Sequence, residues 1–321
     1  MAPTAPPTSP APAPRAPLDA AGAGASVATD GAADLPAPQP RVVTARDGVA
    51  LAAALTSPPP GAPRHGAVLV VGAMGVPQTY YAPLARYLAG EGFVVLTFDP
   101  RGMGASRQGS LRQLDVDVLG WADLDAGAAL AALEAAAPDL PLTWLGHSLG
   151  GQVVPFTPGH ERLAKVVTVA AGSGYWRQNA PPLRRKVWLL WFVLAPTLTA
   201  VAGYFPGGKL GMVGDLPAGV LRQWRRWCLD PSYAVGVEPH AGAAYAAVTT
   251  PITALAFTDD EMMSRANIDS LHGFYAGAPV AVHHLAPADL GVARVGHFGA
   301  FRTAMREPLW ASRLLPELAR R

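Results

Sequence analysis

Ser148 sits in Gly146-His147-Ser148-Leu149-Gly150-Gly151, directly after the apolar run Leu142-Thr143-Trp144-Leu145 and directly before a stretch read as helix. A G-x-S-x-G set between strand and helix holds its serine on a tight turn, from which the hydroxyl can attack a carbonyl carbon. Side chains at 146 and 150 would collide with neighbouring elements, and the turn forces Ser148 into a strained backbone conformation. The expected result is an exposed hydroxyl at the positive end of a helix.

A serine hydroxyl is a weak nucleophile at neutral pH and needs a base, which in turn needs an acid to hold its tautomer. On a strand–turn–helix scaffold these follow in the chain order serine, acid, histidine. The last histidine, His297, lies between glycines in Val295-Gly296-His297-Phe298-Gly299 and is the expected base. His283 and His284 fall within a strand pattern and His272 on a helix pattern, which makes them weaker candidates. For the acid, Phe257-Thr258-Asp259-Asp260-Glu261 follows a strand pattern that begins at Pro251. Asp260 is preferred and Asp259 is the alternate, the remaining one being free to cap the next helix. Two N–H donors must hold the developing oxyanion: the backbone of Leu149, and one from Gly72-Ala73-Met74-Gly75, with Ala73 preferred over Met74. This chemistry requires no cofactor and no metal. The single cysteine, Cys228, has no His or Asn pattern beside it and reads as a packed thiol.

The elements that must position these residues alternate. Arg41 to Arg46 and Val49 to Leu55 flank Asp47-Gly48, a two-residue hairpin signal. Short apolar runs follow at Ala67–Val71, Phe93–Phe98, Leu142–Leu145 and Lys165–Ala171, with helical stretches at about Ala82–Leu88 and Trp121–Ala136 between them. Continuous apolar strands alternating with helices predict an α/β fold with a mostly parallel sheet covered on both faces. From about 175 to 250 the alternation stops, in a segment holding Trp176, Trp188, Trp191, Trp224 and Trp227, before strands resume at Ile252–Phe257 and Val280–Leu285. An aromatic-rich insertion between two core strands predicts a helical lid. Within it, Val187 to Gly208 is uncharged and follows Arg184-Arg185-Lys186, imitating a membrane span. A single span would put strands of one sheet on opposite sides of a bilayer, so lid helices are expected, with peripheral lipid contact open.

At 321 residues the chain suits one large domain with an insertion. Residues 1–40, nearly all Ala, Pro, Gly, Ser and Thr, lack an uninterrupted apolar run and read as a disordered tail ahead of a domain spanning 41–321. A net charge of +2 with 15% charged residues offers no footprint for gripping nucleic acid. One cysteine excludes an intrachain disulfide, which fits a cytoplasmic protein.

Taken together, Gly72-Ala73-Met74-Gly75, Asp99-Pro100-Arg101-Gly102-Met103-Gly104-Ala105-Ser106, Gly146 to Gln152, Gly172-Ser173-Gly174-Tyr175-Trp176, Asp259-Asp260 and Gly296-His297-Phe298-Gly299 resemble the α/β-hydrolase superfamily. The likeness is to its serine aminopeptidase and lysophospholipase-like members, among them a bacterial group described only as predicted hydrolases, and covers Arg41 to the C-terminus. It implies a Ser148, Asp260, His297 triad, in agreement with the reading from order and context. It also implies that Asp99–Ser106 is a structural turn, with contact between Arg101 and a substrate anion as the alternative. Where typical members begin the oxyanion loop with His-Gly, this chain has Val71-Gly72, which removes a side-chain hydrogen bond and leaves the backbone donors. The expected substrate is a small molecule carrying an acyl ester or thioester with an apolar part. Amide or peptide hydrolysis by the same residues, or a non-catalytic binding protein on the same fold, are the alternatives.

Overall fold

The structure, a computed structural model, describes residues 35–212 and 214–320. Residues 1–34 of the expected tail lie outside the described residues. The first strand begins at Gln39, two residues before the expected boundary, and Arg86 donates to the carbonyls of Leu35 and Pro36.

Eight strands form the main sheet: β1 Gln39–Thr44, β2 Ala50–Thr56, β3 Gly66–Val71, β4 Phe93–Phe98, β5 Leu142–His147, β6 Lys165–Val169, β9 Ile252–Phe257 and β10 Val280–Leu285. Their order is β1-β2-β4-β3-β5-β6-β9-β10. The β1–β2 and β2–β4 pairs are antiparallel, and every later pair is parallel. Along β3, Ala67, Leu69 and Val71 enter one apolar cluster while Val68 and Val70 enter another, which is why the strand reads as an unbroken apolar run. Trp121, Leu130 and Leu133 from the helical stretch 118–136 cover the first face. Leu84 and Leu88 from Ala82–Gly90, with Leu309, Trp310 and Leu314 near the C-terminus, cover the second. The chain runs from β3 outward to β4 and then back across to β5, so the sheet changes winding direction between β3 and β5. In such sheets the crevice beyond the carboxyl ends at this switch is where ligands sit.

Two local expectations change. The first hairpin turns over three residues, Arg46-Asp47-Gly48, closed by Ala45 N–H on the Val49 carbonyl at 2.9 Å with Gly48 at φ +86°. After the elbow no long helix forms. Ser148–Gly151, Val154–Phe156 and His160–Arg162 are separate single 3₁₀ turns. Pro155 and Pro158 have no N–H to donate and break any continuous ladder.

The Asp99–Ser106 turn ties the antiparallel edge to the parallel core. Asp99 accepts from Gln78 N–H at 2.7 Å and Ala105 N–H at 2.9 Å, while Ser106 Oγ bridges the Asp99 carbonyl and Ala52 N–H. Arg101, 5% exposed, is held between Asp125 and Asp47, with its Nε 2.7 Å from Asp125. Its guanidinium is thereby committed to the fold, and the substrate-anion alternative falls away.

Between β6 and β9 the insertion folds into a long helix Pro181–Ala202, a two-stranded pair of β7 Tyr204–Phe205 with β8 Leu216–Pro217, and the helix Ala218–Leu229. The first helix is long and apolar enough to cross a membrane. However, β6 and β9 on either side of it are hydrogen-bonded neighbours, Val166 opposite Ile252 through Val169 opposite Leu255. The helix therefore lies on one side of the protein.

Asp125 is fully buried and neutralises Arg101. Asp125→Ala strands that guanidinium without its main partner and is expected to cost about 3–5 kcal/mol in urea unfolding; a loss under 1 kcal/mol, on the order of a surface pair, would show that Asp47 alone suffices.

Candidate active site

Ser148 begins the turn directly beyond β5 and has φ +52°, a left-handed backbone that L residues adopt only when their surroundings impose it. What imposes it is the closeness of the chain on both sides. A Cβ on Gly150 would overlap the Val71 carbonyl, and one on Gly146 would lie 2.5 Å from the Gly150 carbonyl oxygen. The hydroxyl is not exposed as expected. Ser148 retains 8% of its surface, and the residue stands at one short 3₁₀ turn rather than at a long helix, so the macrodipole expected behind it is absent.

Three carboxylates on the loop after β9 organise the histidine. His297 Nδ1 lies 2.8 Å from Asp260 Oδ2, and its Nε2 lies 3.0 Å from Ser148 Oγ. The second Asp260 oxygen accepts from the N–H groups of Met262 and Met263 at 2.7 and 2.9 Å, fixing the carboxylate plane. Asp259, the alternate acid, accepts instead from the backbone of Val295 and Gly296, at 2.8 and 3.1 Å. Glu261 takes the N–H of His297 itself at 3.1 Å. Neither aspartate caps the next helix, because Ser264 does so through a reciprocal box with Asn267. His272 is buried on that helix against Thr168, and His283 and His284 lie on the edge strand β10.

The oxyanion donors divide. Leu149 is the second residue of its 3₁₀ turn, so its N–H has no acceptor within the turn and is free to serve. Ala73 is a correction: its N–H is donated to the Tyr81 hydroxyl at 2.8 Å in a buried contact. Of the two positions weighed on that loop, Met74 is left as the available donor.

Tyr81 and His147 are the residues that sequence reasoning missed. His147 is fully buried, its Nε2 3.0 Å from the His297 carbonyl and its Nδ1 2.9 Å from the Tyr81 hydroxyl. A carbonyl only accepts, so Nε2 carries the proton. Nδ1 must then accept from the Tyr81 O–H, which leaves the Tyr81 oxygen to accept from Ala73. Every role in the chain Ala73–Tyr81–His147–His297 is thus determined, and it joins the oxyanion loop to the base. A histidine ending a mostly apolar strand is the available signal for His147; nothing in the sequence singles out Tyr81.

A narrow apolar cavity of about 30 Å³ runs beside the oxyanion loop, between Ala73 and Leu149 on one side and Phe98, Met103 and Trp121 on the other. The sheet order is that of the α/β-hydrolase fold. Residues 62–211 match the family described as serine aminopeptidase, S33. No curated protein sequence matches the chain. Among solved structures it is similar to an esterase of Pyrococcus furiosus, with a TM-score of 0.56 and 15% identity over 91% of this chain and 94% of that one. A soluble variant of monoglyceride lipase from Saccharomyces cerevisiae gives a TM-score of 0.59 at 15% identity, covering 82% and 90% of the two chains. A protein described as a putative aryl esterase from Burkholderia cenocepacia gives 0.54 at 16%, covering 88% of this chain and 100% of that one.

Burial holds the pKa of His147 well below its ordinary 6.5, with His297 nearby adding to the effect, and burial likewise lowers His272. Both are therefore neutral in the folded protein, and below pH 6.5 the unfolded chain binds protons that the folded one refuses. Stability is expected to be complete above that pH and to fall as pH drops below it. Urea midpoints at about pH 7.5 and about pH 5.5 test this, and His272→Gln should flatten the dependence; a midpoint unchanged over that interval would contradict it.

Proposed function

We propose that this protein is a serine hydrolase that cleaves an acyl ester or thioester with an apolar acyl part. The observation that carries the reading is His297, hydrogen-bonded through one ring nitrogen to Ser148 and through the other to Asp260. In the proposed reaction Ser148 Oγ attacks the carbonyl carbon while His297 Nε2 takes its proton, and Asp260 steadies the imidazolium. The oxyanion is held by the N–H groups of Leu149 and Met74. His297 then protonates the departing alcohol or thiol, the carbonyl re-forms, and the acyl group remains on Ser148. Water, deprotonated by His297, attacks the acyl-enzyme and releases the carboxylic acid.

The apolar side chains around Leu149, among them Phe98, Met103, Trp121 and Val153, support an apolar acyl group. The family description favours a second reading, amide cleavage at a free amino terminus. That reaction would need a carboxylate to hold the substrate ammonium, and the three beside the site, Asp259, Asp260 and Glu261, are already engaged by backbone N–H groups. Ester cleavage is therefore preferred. The insertion acts as a lid in this reading: its buried Val187, Trp191 and Ala195 belong to the same apolar cluster as Met74 and Leu149.

A fluorophosphonate probe should label the parent protein and not Ser148→Ala. On p-nitrophenyl esters of increasing acyl length the same substitution should lower kcat by about 10⁴-fold or more. A folded Ser148→Ala protein that hydrolyses these esters as the parent does would reject the assignment, and labelling without turnover on any ester would move weight to the amide reading.

A further inference from the structure

The helix Pro181–Ala202 buries only a narrow stripe. Val187, Trp191, Ala195 and Thr199, spaced four apart, face the protein. Two further rows face outward, Arg184–Trp188–Phe192–Pro196–Ala200 and Arg185–Leu189–Val193–Thr197–Val201. Trp188 and Phe192 are each 50% exposed and Val201 81%. Monomeric soluble proteins rarely leave so many large apolar side chains contiguous in water.

The charge beside this face indicates its occupant. Residues 172–214 contain Arg177, Arg184, Arg185, Lys186 and Lys209 and no aspartate or glutamate. Arg184, Arg185 and Lys186 occupy the first turns of the same helix, are exposed, and have no side-chain partner among the described residues. Unpaired cations at the head of an apolar, Trp-containing helical face match an anionic bilayer, where the side chains enter the acyl boundary and the cations meet headgroups. An acidic protein groove would satisfy the cations but would leave Trp188 and Leu189, two turns in, and Val201, in the sixth turn, needing one continuous apolar trough. We propose that this face docks the protein onto an anionic lipid surface.

Docking does not depend on the chemistry at Ser148, and vesicle binding can be read without turnover. The full chain is sedimented with vesicles of phosphatidylcholine alone and of phosphatidylcholine mixed with phosphatidylglycerol, beside the variants Trp188→Ser/Phe192→Ser and Arg184→Gln/Arg185→Gln/Lys186→Gln. Thermal melts serve as the folding control. The parent should bind the mixed vesicles at least tenfold more tightly than the neutral ones, with the preference lost in high salt. The cation variant should lose that preference, and the apolar variant should lose binding to both by at least tenfold. A parent that does not sediment with mixed vesicles, or folded variants that bind as it does, would overturn the proposal. So would a parent that dimerises in solution through Trp188 and Phe192 and ignores vesicles, since the face would then be covered by a second copy. A protein that binds vesicles yet hydrolyses no ester would leave docking standing and remove the ester reading alone.

Discussion

The site depends on the close approach of two backbones. The Val71 carbonyl occupies the space where residue 150 would carry a Cβ, so β3 and the elbow turn can meet only because that residue is glycine. This contact sets β3 beside β5 at their carboxyl ends, where the winding of the sheet reverses, and it forces Ser148 into its left-handed backbone. The loop after β3 and the turn after β5 are thereby brought together. Their geometry is a property of the sheet and not of flexible side chains.

The base is constrained by different means. His297 stands on a loop with Gly296 at φ +65°, and such a loop does not hold a ring in place by itself. Asp259 and Glu261 take its backbone N–H groups, while Asp260 takes the ring. His147 takes its carbonyl from the opposite side. Three neighbours thus fix His297 through three different atoms while Asp259 holds the two residues before it, and two of the three, His147 and Asp260, are nearly or fully buried, where a hydrogen bond lost would leave a polar atom with no water to replace it.

Much of this was legible in the sequence because it rests on local rules. Unbroken apolar runs gave the parallel strands, glycines at 146 and 150 gave the elbow, and chain order gave the serine, acid and histidine. Three features escaped. Pro155 and Pro158 cut into separate turns the segment that the strand–turn–helix pattern leads one to expect as a helix. The fate of the Ala73 N–H depended on Tyr81, eight residues on and brought back by a turn that no periodicity encodes. The five tryptophans of the insertion read alike as lid lining, but their directions differ: Trp191 and Trp227 are buried while Trp188 faces outward. Four-residue spacing from Val187 separates Trp191 from Trp188, and that spacing becomes decisive only once the helix is known to pack against the helix Ala218–Leu229.

The insertion's first helix is bracketed by the two halves of the site. Just before it, Ala180 N–H bonds the Met262 carbonyl on the loop that carries Asp260; beyond it, Gly214 N–H bonds the Gly75 carbonyl on the oxyanion loop. The insertion is therefore tied at one end to the loop that carries Asp260 and at the other to the loop after β3, so a contact on its outer face and a ligand held between those two loops would be linked, each changing the free energy of the other by the same amount.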